Sequence, residues 1–236
     1  MRVLVTRPLR DAEATARRLM ARGHEAVIAP VLDIVATDAA TPAGRFEALI
    51  ATSAHAIELA SRDILKQHVA SPLWCVGART EAAARGRGFS NVKEAAAGAR
   101  DLAARIIARA KPHSHYLYLA GLDRKPFLEH ALGEGGHHVD VVIVYEARAA
   151  AALPGDAVAA LRAGAVDAAL HFSRRSAELV MALAAREEGA GDALRRLKHI
   201  CISADAAAPL RAVGLDPGVA AKPDLAGLLA ALEGAA

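Results

Sequence analysis

The sequence predicts an α/β protein built from two related parallel-sheet domains. Three observations carry this expectation: apolar runs of four to seven residues alternate with segments of helical period, one half of the chain partly repeats the other, and two extended segments stand where the halves would join. Short, continuous apolar runs suit a parallel sheet because crossover helices cover both of its faces.

The first run, residues 2–6 (RVLVT), leads into a helical pattern at 11–23 and a second run at 25–29 (EAVIA). Further strands are expected at 48–52, 73–77, 91–95, 115–119, 139–145, 167–172, 198–203 and 218–222. Helical patterns occupy 54–65, 79–88, 100–110, 125–136, 176–189, 206–214 and 224–234, many closed by a glycine, the usual helix stop signal.

Ser53, Glu58 and Leu59 reappear 120 residues later as Ser173, Glu178 and Leu179. At an offset of 126, Cys75, Arg85 and Gly88 match Cys201, Arg211 and Gly214, and at 123 Asp101-Leu102 matches Asp224-Leu225. Small drifts of this kind are what loop insertions produce. The alternating stretches LDIVATD (32–38) and IVYEARAA (143–150) are expected to pair as a two-stranded ribbon. That wiring assigns residues 1–35 and 148–236 to one discontinuous domain and 36–147 to an inserted one, with a ligand cleft between them.

Composition narrows the function classes. Of the 236 residues 54% are hydrophobic and 23% charged, which marks a globular chain. Aromatic residues make up only 3%, too few for base-stacking platforms, and the net charge of +3 with a pI near 9.1 comes from scattered arginines. A small anionic ligand fits this balance better than nucleic acid. The start, MRVLVTRP, lacks the apolar core of a signal peptide, and no apolar run approaches the roughly 20 residues that span a bilayer. The expectation is a cytoplasmic protein without membrane contact. Cys75 and Cys201 each fall in an expected strand and are read as inert core thiols.

In open α/β sheets, ligands gather where strands end and helices begin, because helix N-termini offer unpaired N–H groups and partial positive charge. The loops there are 6–11 (TRPLRD), 52–55 (TSAH), 76–80 (VGART), 120–125 (AGLDRK), 172–176 (FSRRS) and 203–207 (SADAA). Four of the six carry Arg or Lys, which together would make an anion-binding cleft. Ser53, Ser173 and Asp11 fit equally well as helix N-caps, and Arg7, Arg79, Arg124 and Arg174 fit as solvated charges. There is no GxGxxG after the first strand, no GxxxxGK[ST] and no GxSxG around either serine, so dinucleotide, nucleotide and triad-hydrolase sites are unsupported. The pairs His113/His115 and His137/His138 lack the further ligands of a metal set and are read as solvated, so no metal is expected.

In this order, VLVTRP, TSAHAIELA, CVGARTEAAARGRGF, YLYLAGLDRKPFLEHALGEGG, VDVVIVYEA and DAALHFSRRSAELV resemble the uroporphyrinogen-III synthase family across essentially the whole chain. The resemblance implies two flavodoxin-like α/β domains joined by a two-stranded β-ribbon hinge, with the active site in the inter-domain cleft. It implies closure of hydroxymethylbilane, a linear polycarboxylate tetrapyrrole, to uroporphyrinogen III with inversion of the terminal ring and loss of water. The route runs through an azafulvene and a spiro intermediate, and needs no cofactor. Tyr145 matches the tyrosine that helps the hydroxyl leave, although a ribbon residue packing its ring at the hinge reads as well. Arg7, Ser53, Thr80, Arg124 and Ser173 fall on the family's loop motifs as substrate-binding candidates, with Ser203 in the last loop. This chain departs from the family pattern at Ser203, where glycine is common, at Ala206, where threonine is common, and at His55, where asparagine is common. Ala206 removes a hydroxyl that Ser203 is placed to replace. The expected partners are the substrate and, transiently, hydroxymethylbilane synthase, and the expected state is a monomer. The rival reading is a non-catalytic tetrapyrrole- or anion-binding relative with the same fold, and a more distant one is a periplasmic-type sugar or anion binder.

Overall fold

The structure, a computed structural model, describes residues 1–40, 42–93 and 95–234. The chain opens with β1 (Arg2–Val5), α1 (Leu9–Met20), β2 (Glu25–Ile28) and β3 (Leu32–Ala36). It continues through β4 (Ala48–Ala51), α2 (Ala54–Leu59), α3 (Arg62–His68), β5 (Leu73–Cys75), α4 (Ala78–Gly86), α5 (Ala99–Arg109), β6 (His115–Gly121), α6 (Phe127–Glu134) and β7 (His138–Ala149). The last part holds α7 (Gly155–Arg162), β8 (Ala168–His171), α8 (Arg174–Ala184), α9 (Ala190–Arg195), β9 (Lys198–Cys201), α10 (Ala204–Ala212), β10 (Gly218–Val219) and α11 (Leu225–Gly234).

Packing divides the chain into two compact units, Met1–Asp33 with Arg148–Ala236, and Ile34–Ala147. The chain passes between them inside β3 and again inside β7. In the first unit five parallel strands stand in the order β10-β9-β8-β1-β2. Val3, Val5, Ala168, Leu170 and Ile200 bury one face against Ala12 and Leu19 of α1 and Leu228, Leu229 and Leu232 of α11. Cys201 packs with Ala206, Ala207 and Leu210 of α10. In the second unit the order is β3-β7-β6-β4-β5, with β4, β5, β6 and β7 parallel. Alternation along β4 sends Leu49 and Ala51 to one core and Ala48 and Ile50 to the other, so helices cover both faces. β3 runs against β7: the Thr37 N–H donates to Val144 O (3.1 Å) and the Ala150 N–H to Val31 O (3.0 Å).

The internal repeat has a structural counterpart. Ser53 and Ser173 cap α2 and α8, Cys75 and Cys201 close β5 and β9, and Gly88 (φ +93°) and Gly214 (φ +81°) follow α4 and α10 in the left-handed conformation that stops a helix. Several expectations need correction. The pattern at 54–65 splits in two because Ser61 caps a new helix, its side chain accepting the Ile64 N–H at 3.3 Å. The pattern at 176–189 begins earlier, at Arg174, and ends at Ala184, with the short α9 beyond it. Of the strand expected at 91–95, residue 94 lies outside the described residues, and the described ones make only the bridge from Val92 to Leu73, with Ala96 just beyond bridging to Val76. Helix α7, entered from Pro154, is an addition to the expected elements. Asp11 lies in the first turn of α1 and Pro8 holds the cap position.

Candidate functional site

In the second unit the loops leaving β4 and β6 meet the far part of β7. The register of β6 on β7 slips between Ala120, which pairs with Ile143, and Gly121, which pairs with Tyr145. Such an irregularity re-aims a side chain. Here it brings the half-buried Tyr145 ring across Gly121, whose missing side chain leaves the space. The Leu122 N–H donates to Tyr145 O at 2.9 Å, which fixes the strand at that point. His55 stands edge-on to Tyr145 with ring centroids 5.8 Å apart, and its Nδ1 lies 3.5 Å from the Glu58 carboxylate.

The Tyr118 hydroxyl and Thr52 Oγ1 share a hydrogen bond of 2.7 Å. Burial raises the Tyr118 phenol above its ordinary range, the Thr52 bond opposes this, Glu129 and Tyr145 push it up and Arg124 pulls it down. Arg124 Nε donates to Glu129 Oε1 at 2.7 Å, while Glu129 Oε2 is buried without a hydrogen bond. Arg124 is therefore a charge held in place by a carboxylate. Ser53 is a working cap that accepts the His55 N–H at 3.2 Å. Thr80 is only 3% exposed, packed under the first turn of α4, which does not present its hydroxyl at the loop surface.

In the first unit the adjacent strands β1, β8 and β9 release their loops side by side. The Arg7 guanidinium lies 4.5 Å above the Phe172 ring, 3.3 Å from Asp11 Oδ2 and 3.4 Å from Thr15 Oγ1. The aromatic face and the carboxylate orient the charge. Ser173 Oγ accepts the Ser176 N–H at 3.1 Å and lies 2.9 Å from Ser176 Oγ, and Ser203 Oγ accepts the Ala206 N–H at 3.3 Å. All three serines thus act as caps; the Ser53 and Ser203 hydroxyls keep a proton to donate, whereas Ser173 Oγ donates to Ser176 Oγ, whose own proton goes to Ser173 O at 3.0 Å. Ala206 is fully buried.

Sequence reading missed Tyr118, Thr52 as its partner, Glu129 and the His55–Tyr145 contact. The alternation in YLYL could have flagged Tyr118 as sharing a face with Tyr116, but its partner lies 66 residues away. Cys75 and Cys201 are buried and unpaired, and burial pushes their thiols up to about 11 and about 12, so neither is a nucleophile. Among the described residues, no helix is long and apolar enough to cross a membrane. Among the same residues one metal-capable group is found, His115, His138 and Asp140, which takes one histidine from each of the two pairs read as solvated.

A family model described as "Uroporphyrinogen-III synthase HemD" matches residues 13–230. No curated protein sequence matches the chain. Among solved structures, uroporphyrinogen-III synthetase from Helicobacter pylori 26695 is 17% identical with a TM-score of 0.66, covering 100% of both chains, a likeness of fold. A mutant uroporphyrinogen III synthase from Thermus thermophilus is 19% identical with a TM-score of 0.49, covering 100% of this chain and 98% of that one.

Proposed function

The chain belongs to the uroporphyrinogen-III synthase family, and we propose that it closes hydroxymethylbilane to uroporphyrinogen III with Tyr145 as the acid that releases the terminal hydroxyl. The observation that carries this assignment is the strand irregularity that lays Tyr145 over Gly121 at the loop end of β6, with the His55 ring 5.8 Å away. A phenol, which titrates near pH 10 in water, keeps its proton at neutral pH and can give it to a leaving hydroxyl. The C–O bond breaks, the proton leaves with the hydroxyl as water, and a protonated azafulvene remains beside the Tyr145 phenolate. The last pyrrole attacks through its substituted carbon, and the resulting spiro intermediate fragments and recombines with that ring inverted. Loss of a proton from the closing ring carbon returns Tyr145 to its starting form. A pyrrole is already a good nucleophile, so holding one folded conformer is the larger part of the task.

The acetate and propionate groups of the substrate call for cations and N–H donors. Arg7 and Arg124 supply the former, each preset by a carboxylate, and the helix starts capped by Ser53, Ser173 and Ser203 supply the latter, with the Ser53 and Ser203 hydroxyls as further donors. Thr80 acts only through the loop it supports. The strand order β2-β1-β8-β9-β10, second-first-third-fourth-fifth within its unit, supports a flavodoxin-like reading. In that reading the β3 and β7 segments form a hinge ribbon and the substrate is taken up by loops of both domains. Monomeric, cytoplasmic action with direct transfer from hydroxymethylbilane synthase belongs to the same proposal.

Freshly generated hydroxymethylbilane closes spontaneously to the type I isomer, so the isomer ratio after oxidation tests the reading. Predominant type III product is expected. Type I at the rate without enzyme would overturn the synthase assignment in favour of a non-catalytic relative. Arg7→Ala and Arg124→Ala are each expected to raise KM about 10-fold with a smaller change in kcat, because a partly exposed charge-assisted contact contributes on the order of 1.4 kcal/mol. Steady-state rates across substrate concentration check this, and an unchanged KM removes the residue from the substrate contacts.

A further inference from the structure

We propose that His115, His138 and Asp140 form a binding site for a divalent transition-metal ion of the zinc class, separate from the proposed active site. His115 and His138 open β6 and β7 and are register partners, and Asp140 pairs with Leu117. Register partners on parallel neighbours share a sheet face, and so do residues two apart on one strand. All three side chains therefore converge. Their ligand atoms lie within 4.8 Å of one another.

The distances are those a small cation imposes. Asp140 Oδ2 is 3.1 Å from His115 Nε2 and Oδ1 is 3.3 Å from His138 Nε2. Two ligands of a tetrahedral ion bound at about 2.0–2.1 Å stand about 3.3–3.4 Å apart. The two imidazole rings meet edge-on at 4.6 Å, and Phe46 braces the His115 ring at 4.8 Å. His115 Nε2 is screened from solvent and makes no hydrogen bond although a carboxylate oxygen lies 3.1 Å away. The contact is close but misdirected for a hydrogen bond. An ion seated between the two atoms satisfies both.

Two imidazoles and one carboxylate make a donor set suited to zinc(II), with a fourth position left for water. The His138 side chain is 73% exposed, which gives the ion a route in. β6 is seven residues long, so the group lies roughly 20 Å along the strand from Gly121 and Tyr145, at the opposite end of the sheet. An ion there ties the first turns of β6 and β7 together without touching the reaction chemistry. The plain alternative is a carboxylate shared by two imidazoles with no affinity for metal.

The test is calorimetric titration of the untagged full-length chain, stripped with chelator, using Zn²⁺ itself. One ion per chain is expected, together with a rise in Tm. His138→Ala removes an exposed ligand at little risk to folding and is expected to weaken binding at least about 10-fold. Asp140→Asn is expected to act in the same direction, whereas His130→Ala, on the exposed side of α6, leaves binding unchanged. Absence of saturable binding, or equal binding by His138→Ala, overturns the proposal. The isomer ratio reports on the synthase reading independently, so failure of either leaves the other standing.

Discussion

Gly121→Ala is expected to lower kcat about 100-fold while the fold stays intact, the usual scale for losing a positioned acid. A Cβ at residue 121 would lie 2.5 Å from Tyr145 Cζ, 2.7 Å from Cε2 and 2.8 Å from the hydroxyl oxygen. Gly121 is not in the left-handed region, so alanine brings no dihedral strain there, only the collision. β6 is held by β4 on one side and β7 on the other, which makes its backbone the stiffer partner. The half-buried Tyr145 ring therefore swings away and carries its hydroxyl out of place. Tyr145→Phe removes the same hydroxyl and leaves the ring. Both variants should lose kcat at nearly constant KM, read from initial rates of type III formation at saturating substrate, with thermal melting as the control for folding. A full rate in Tyr145→Phe removes the acid assignment and leaves Tyr145 a packing residue. A full rate in Gly121→Ala shows that ring placement over this glycine has no bearing on the chemistry.

This site was only partly legible in the sequence, for a physical reason. Strands buried on both faces read as uninterrupted apolar runs, so β4, β6 and β8 were plain from residue type alone. Ser53 and Ser173 announced helix starts because an N-cap is a local requirement met by neighbours in sequence. Tyr145 over Gly121 was not legible, since it depends on a one-residue slip between strands that no local pattern records. The pairing of Thr52 with Tyr118 and of Arg124 with Glu129 depends likewise on which strands and loops become neighbours. Register also explains the histidines: sequence adjacency suggested His113 with His115 and His137 with His138, whereas strand pairing joins His115 to His138. The helices α7 and α9 were missed because eight and six residues are too few to show a firm period.

A fall in pH from 7 to 5 is expected to destabilise the protein by about 2 kcal/mol through His171 alone, with His199 adding in the same direction. The two rings lie on adjacent strands β8 and β9, fully or nearly fully buried, with His171 Nε2 2.9 Å from His199 Nδ1. One nitrogen donates and the other accepts, which works for two neutral rings and fails when both carry a proton on the facing atoms. Burial, and then His199, lower the His171 pKa to about 3, and burial lowers that of His199 against a smaller opposing pull from the Leu194 carbonyl. Cys201, the register partner of His171, stays a neutral thiol, so it brings no compensating negative charge. In the unfolded chain both rings take up a proton near pH 6.5. Below that value the unfolded state binds more protons than the folded one, so stability is fully present above about pH 6.5 and declines toward the folded value near 3. Urea unfolding at pH 7 and pH 5 measures the loss. Replacing one ring would strand the nitrogen of the other, so the informative variant is His171→Leu with His199→Leu, expected to flatten most of the slope. His68 in the other unit, also lowered by burial, remains in that variant and keeps a smaller slope of the same sign. An unchanged slope in the double variant would place the acid sensitivity outside this pair.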